Sequence, residues 1–409
     1  MPQKPNFVVV FMDDMGYGDM GCFGSSVIRT PQMDSIAEQG ARFTSMYSAA
    51  AICSPSRAGL LTGKQPQRIG IERVLFPHDK DGIGASVKTV ADYLQYSGYK
   101  TMMAGKWHIG CLPEHNPVEH GFDEYCGLLY SNDMEPLHLY RDQDVIETEV
   151  DQAFLTRRYT DEAINFINRN SERAFFCYIA HTMPHIPLHV EPEFRNTSRG
   201  GTYGDTIECI DYHLGRLTDE IDRLNLTENT FIIVTSDNGP WYEGSAGGLR
   251  GRKFDLYEGG VRMPFVARFP KLISPGTCSD EPASLMDIPP TFLNLAGVDP
   301  EKNDSFDGID ITESFKGNPM PERDGIYFYD HYSPNAIRSG KWKLHLAFGA
   351  DRNKAEMPQL FDLEHDPQES YNLANLYPEI VEKLSDRIRI FHNDVRKDNS
   401  DCPDVEFEL

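Results

Sequence analysis

Three short, unbroken apolar runs constrain this chain more than any other feature: FVVVF at 7–11, AFFCYI at 174–179 and FIIVT at 231–235. A strand with one wet face alternates apolar and polar residues. A strand apolar at every position must be covered on both faces, as in a parallel sheet packed between helices. Helical patterns lie between the runs, at Val87 to Ser97 (closed by Gly98), Thr160 to Arg169 and Asp205 to Leu224. Strands alternating with helices predict an α/β fold, a large and mostly parallel sheet sandwiched by helices. Such sheets gather functional groups beyond the carboxyl ends of their strands. That rule points to Asp13 and Asp14, to His181 through His185, and to Asp237 and Asn238.

The pattern changes near residue 319. Pro319 and Pro321 precede two alternating segments, Ile326 to Tyr329 and Trp342 to Leu346, and then a helix over about 378–393. Residues 1–318 are expected to form the catalytic domain and 319–409 a smaller α+β subdomain with an antiparallel sheet. A formal net charge of -24 excludes nucleic acid as a partner, because phosphate binding needs concentrated lysine and arginine. The eight cysteines are scattered without a CxxC pair, which argues against a zinc knot. No apolar run approaches membrane-spanning length. The expected location is cytoplasmic, or periplasmic or secreted if an export signal has been removed.

Asp13 and Asp14 at one strand end, with Asp237 and Asn238 at another, make a site of hard oxygen donors suited to Ca²⁺ or Mg²⁺. The GxGxxG at Gly16 to Gly21 is a decoy. The two aspartates at the strand mouth would repel a pyrophosphate, and Pro31 interrupts the helix a nucleotide fold would need. Cys53-Ser54-Pro55-Ser56-Arg57 reads as a helix start, with Ser54 as N-cap, Pro55 in the first helical position and Gly63 as the stop. Cys53 then lies in the positive field of a helix N-terminus beside Arg57, a place that draws in an anionic ester. Lys106 and His108, two residues apart, share one face if the segment is extended. His181 and His185 sit in a proline-shaped loop, and Arg252, Lys253 and Arg262 in a glycine-rich one.

Taken in order, these motifs resemble those of type I sulfatases, arylsulfatase A-like members of the alkaline-phosphatase-like superfamily. The resemblance runs from Asn6 into the C-terminal region. It implies that Cys53 is converted to formylglycine by a formylglycine-generating enzyme. It also implies that Asp13, Asp14, Asp237 and Asn238 hold a metal, usually Ca²⁺, together with the modified Cys53. Arg57, Lys106 and His108 would orient and activate the aldehyde hydrate, while His185 and Lys253 would contact the sulfate and the leaving oxygen. His181 stays outside this set. The implied substrate is a small-molecule or glycan sulfate ester. Alternatives are a phosphonate monoester or phosphodiester hydrolase of the same superfamily, or a silent protein that only binds sulfated glycans. The segment Tyr130 to Tyr140 resembles a pocket wall of the family, and His331 and Asn335 are expected to line the same cleft.

Overall fold

The computed structural model describes residues 4–300, 305–346 and 358–404. Its strands are β1 (Asn6–Met12), β2 (Ala41–Tyr47), β3 (Lys100–Lys106), β4 (Glu124–Leu128), β5 (Leu139–Arg141), β6 (Asp144–Glu147), β7 (Phe175–Ala180), β8 (Thr230–Ser236), β9 (Arg262–Arg268), β10 (Thr277–Ser279), β11 (Ala283–Ser284), β12 (Ile326–Asp330), β13 (Ser333–Ser339), β14 (Trp342–His345) and β15 (Gln359–Asp362). The helices are α1 (Pro31–Glu38), α2 (Cys53–Thr62), α3 (Val90–Tyr96), α4 (Leu155–Asn170), α5 (Gly201–Arg223), α6 (Glu258–Val261), α7 (Ile288–Ala296), α8 (Thr312–Phe315) and α9 (Pro378–Asp398).

The three apolar runs are the central strands. β1 lies between β7 and β8 and is parallel to both, with Phe7 opposite Phe176 and Phe231. The larger sheet runs β10-β2-β9-β8-β1-β7-β3-β4-β5-β6, with β11 beside β2. Antiparallel pairs occur at β9 and at the β4-β5-β6 edge. Each face of β1 feeds a different core. Phe7, Val9 and Phe11 pack toward α2, α3 and α7, whereas Val8, Val10 and Met12 pack toward α1, α4 and α5. A second sheet of four antiparallel strands, β12-β13-β14-β15, is covered by α9 through Val381, Leu384 and Ile388. The predicted sandwich with a separate antiparallel sheet is therefore the observed one.

Helix boundaries shift for local reasons. Thr89 caps α3 in a reciprocal box with Asp92, so that helix opens at Val90 rather than Val87. α4 and α5 begin earlier than their apolar spacing shows, at Leu155 and Gly201. After β1 there is one 3-10 turn, Gly21–Phe23, and no α-helix until Pro31, which opens α1.

Candidate active site

The site forms where β1, β3, β7 and β8 end. Beyond Met12 the chain is tied to both neighbours, since Asp13 N–H donates to Met183 O (3.3 Å) and Asp237 N–H to Met12 O (3.1 Å). Asp14 turns into the left-handed region (φ 66°), and its N–H donates to Asp237 Oδ1 (3.1 Å). Asn238 Nδ2 donates to Asp14 Oδ1 (2.6 Å), and Asn238 Oδ1 is buried without a hydrogen-bond partner. The three carboxylates and the amide are all buried.

Helix α2 begins one residue before the cap expected from sequence. Cys53 is its first residue, and Ile52 precedes it without a side-chain cap. Ser54 does not cap because its hydroxyl is already committed, accepting from Leu75 N–H (3.1 Å). Gly63 ends the helix as expected, at φ 68°. Cys53 Sγ lies 3.5 Å from Asp13 Oδ1, one turn from Arg57. Arg57 is wholly buried over the Phe11 ring, with its guanidinium on Asp237 Oδ2 (2.7 Å) and on Lys106 O (3.0 Å).

Lys106 is delivered by the last residue of β3, and its Nζ meets Asp13 Oδ2 (2.5 Å) and Ser131 Oγ (3.1 Å). The extended geometry expected for Lys106 and His108 does not occur. The strand stops at Lys106 and His108 takes a left-handed conformation (φ 66°). His108 Nε2 pairs with Leu75 O (3.0 Å), an acceptor, so Nε2 carries the proton. Its Nδ1 is a buried lone pair without a hydrogen-bond partner. Burial, then Lys106 and Arg57, hold this imidazole neutral.

His185 follows β7. Its Nδ1–H donates to Ile186 O (2.5 Å), and Nε2 stands 3.6 Å from Asp14 Oδ2. Lys253 Nζ reaches the same Asp14 oxygen at 2.7 Å. His181 is elsewhere. It packs on Tyr159, and burial, with His213 nearby, pushes it down to about 3.

Burial and the charge of Asp13 push Asp237 up to about 7, whereas Lys106 and His185 hold the equally buried Asp13 well below the usual carboxylate range. Burial also pushes the Cys53 thiol up despite Lys106 and Lys253 nearby. An unmodified Cys53 is thus a thiol and a poor nucleophile. Two groupings, Asp13–Cys53–Asp237 and Asp14–Cys53–His185, each bring three donor atoms within 4.8 Å. Buried carboxylate oxygens with an unsatisfied amide oxygen suit a hard divalent cation.

Ser131 lies in the Tyr130–Tyr140 segment expected to wall the pocket, but its contact with Lys106, made from a loop beyond β4, was not signalled by sequence. The segment around it walls a cavity of about 120 Å³ with Pro77, Cys111, Met134 and Tyr140. Of the two residues expected from the C-terminal region, His331 pairs with Glu72 (2.8 Å) and is exposed. Asn335 is buried in β13, accepting from Ser333 Oγ.

The sequence family described as Sulfatase matches residues 5–298, and the one described as N-sulphoglucosamine sulphohydrolase, C-terminal, matches 249–394. The chain belongs to the sulfatase family, enzymes that hydrolyse sulfuric esters. N-acetylgalactosamine-6-sulfatase of Mus musculus is 34% identical, covering 94% of this chain and 85% of its own length. Arylsulfatase A of Homo sapiens is 35% identical, covering 93% and 86%. The crystal structure of Ps i-CgsB in complex with k-i-k-neocarrahexaose superposes with a TM-score of 0.87 at 29% identity, over 97% of this chain and 94% of that one. Among the described residues no helix is long and apolar enough to cross a membrane.

Proposed function

We propose that this sulfatase cleaves a sulfate monoester with a formylglycine hydrate at position 53 as nucleophile and a divalent metal, Ca²⁺ or Mg²⁺, held by Asp13, Asp14, Asp237, Asn238 and the modified Cys53. The observation that carries the reading is the convergence on Cys53, at the start of α2, of three buried carboxylates and the cations of Arg57, Lys106 and Lys253.

A sulfate monoester resists attack because its oxygens repel nucleophiles, so positive charge fixed around it lowers the barrier. The metal supplies part of that charge when bound. The aldehyde hydrate supplies two hydroxyls, one to attack sulfur and one to expel sulfate as the aldehyde returns, a release that a plain thiol lacks. Lys253 and His185 face the same Asp14 oxygen, which supports reading them as the groups that meet the sulfate and the leaving oxygen. His185 acts as an imidazolium beside Asp14: Nε2–H passes to the leaving alcohol while Nδ1–H stays on Ile186 O, leaving the neutral imidazole. His108 accepts a proton at its unpartnered Nδ1 during release. Arg57 holds Asp237 while its field favours the anionic ester.

Residues 319–409 are, in this reading, a subdomain that braces the loop carrying Lys253. Glu258 and Glu369 are buried with Lys343 between them, at 2.9 and 3.3 Å, and Glu369 accepts from Glu258 N–H. Gly260 lets that loop close on itself, since a Cβ there would fall 1.9 Å from Asp255 O.

The test is peptide mass spectrometry of residue 53 alongside a sulfate-release assay. Active protein should carry the aldehyde mass, produced by a formylglycine-generating enzyme. Full activity with only thiol at position 53 would refute the nucleophile.

A further inference from the structure

The residue after Lys253 is far more exposed. Lys253 is 6% exposed with its Nζ on Asp14, whereas the Phe254 ring is 48% exposed and its centroid stands 5.8 Å from that Nζ. Phe254 holds φ at 75°, a left-handed conformation unusual for a bulky side chain. Strain of this kind persists where surrounding structure enforces it. Here Lys253 N–H donates to Pro240 O (3.1 Å) and Phe254 N–H to Ala51 O (2.9 Å), which staples this loop to the turn after β8 and to the approach to Cys53.

Two further rings adjoin. Trp241 meets Phe254 edge-on at 6.0 Å, and Tyr242, 72% exposed, meets Trp241 at 4.7 Å. Arg252 fixes their backbone by donating to Trp241 O (2.8 Å) and Gly244 O (2.7 Å), with its guanidinium 5.6 Å from the Tyr242 ring centroid. The rings are thus held in place beside the cation, although burial of apolar surface would favour turning them inward.

Resting on the sulfatase reading above, we propose that Phe254 and Tyr242, backed by Trp241, form a platform for the apolar face of a pyranose ring whose sulfate lies against Lys253. Phe254 is the exposed side chain that lies within 5.8 Å of the buried Lys253 ammonium, so in this reading the alcohol of a bound ester rests on it. Polar residues adjoin the rings, with Arg252 against Tyr242 and with Glu243 and Asp255 next to Tyr242 and Phe254 in the chain, which suits a ring with one C–H face and a rim of hydroxyls. A long aliphatic or polycyclic alcohol would need apolar surface extending further.

The experiment compares three probes: methyl N-acetylgalactosaminide 6-sulfate, nitrophenyl sulfate, and inorganic sulfate as competitive inhibitor. Phe254→Ala should raise KM for the sugar sulfate about tenfold, the upper end of what one ring pair contributes, with kcat within about twofold. Inhibition by inorganic sulfate should be unchanged, because that anion touches only the buried centre. Nitrophenyl sulfate should be affected less, since its ring joins the ester oxygen directly and stays nearer the centre. Phe254→Trp should restore the sugar KM. Tyr242→Ala, at a ring too exposed to support packing, should reproduce the defect in weaker form. Unchanged KM in both alanine variants would overturn the platform while leaving the sulfatase reading intact. A loss as large on nitrophenyl sulfate would overturn the sugar assignment in favour of aryl rings. A weakened sulfate inhibition constant would show that Phe254 acts on the buried centre instead. Wild-type protein that hydrolyses neither ester would overturn the sulfatase reading and this inference with it.

Discussion

Replacing His185 by alanine separates two roles that the geometry allows. The side chain is buried, Nδ1–H is committed to Ile186 O at 2.5 Å, and only Nε2, 3.6 Å from Asp14 Oδ2, can act on substrate. If Nε2 only contacts the sulfate, its loss removes one hydrogen bond to a charged group, about 1.5–3 kcal/mol. That is roughly 10–160-fold in kcat/KM, and it falls equally on every sulfate ester. If Nε2 also protonates the leaving oxygen, a further factor of about 10²–10⁴ applies wherever the alkoxide is strongly basic. Nitrophenolate departs without help, whereas a sugar alkoxide does not. We therefore expect a loss of roughly 10³–10⁶-fold on a sugar sulfate against about 10–160-fold on nitrophenyl sulfate. Both kcat/KM values are measured on one preparation whose metal content is determined by elemental analysis, because Nε2 lies close to Asp14 and Cys53. Equal losses at unchanged metal content would refute the acid role and move it to Lys253, which reaches the same Asp14 oxygen.

Other expectations follow from the same contacts. Cys53→Ala should abolish sulfate release while leaving the unfolding transition in place, since one small buried side chain replaces another; residual turnover above a few per cent would refute the nucleophile. Asp13→Asn and Asp237→Asn should each lower bound divalent metal, and chelation should lower Tm with recovery on adding Ca²⁺ or Mg²⁺; unchanged metal in both variants would refute the ligand set. Lys343→Met removes the cation between Glu258 and Glu369, leaving Glu258 with Arg262 and Tyr47 and Glu369 with His345, and should cost about 3 kcal/mol, the low end for a broken buried pair, in urea unfolding, whereas a cost below about 1 kcal/mol, the range of an exposed pair, would show the network is solvated. Gly105→Ala should prevent normal folding, because its Cβ would sit 1.8 Å from Ala180 O at φ 114°; a wild-type melting curve would refute that packing.

What could be read from sequence divides by how far away each group finds its partner. The apolar runs were legible because a strand covered on both faces must be apolar throughout, a requirement each residue meets alone. The ends of those strands then located Asp13, Asp14, Asp237, Asn238 and the stretch His181 to His185 together, because register in a parallel sheet brings carboxyl ends to one edge; only the family resemblance chose His185 over His181. Local rules failed wherever a distant segment had already claimed a group. Ser54 looks like an N-cap until Leu75, 21 residues on, takes its hydroxyl. Lys106 and His108 look like alternating strand residues until the chain leaves β3 and Leu75 O captures the imidazole. The stretch around Leu75 carries no motif, yet it sets both the start of α2 and the tautomer of His108. Phe254 is the same case at the rim. Nothing in its neighbours predicts an exposed aromatic at positive φ, and the bonds to Ala51 and Pro240 that impose it join three loops distant in sequence. Charge and strand-end position thus expose the groups proposed to face the sulfate, whereas the surface proposed to face the alcohol is built from loop meetings that only the folded chain reveals.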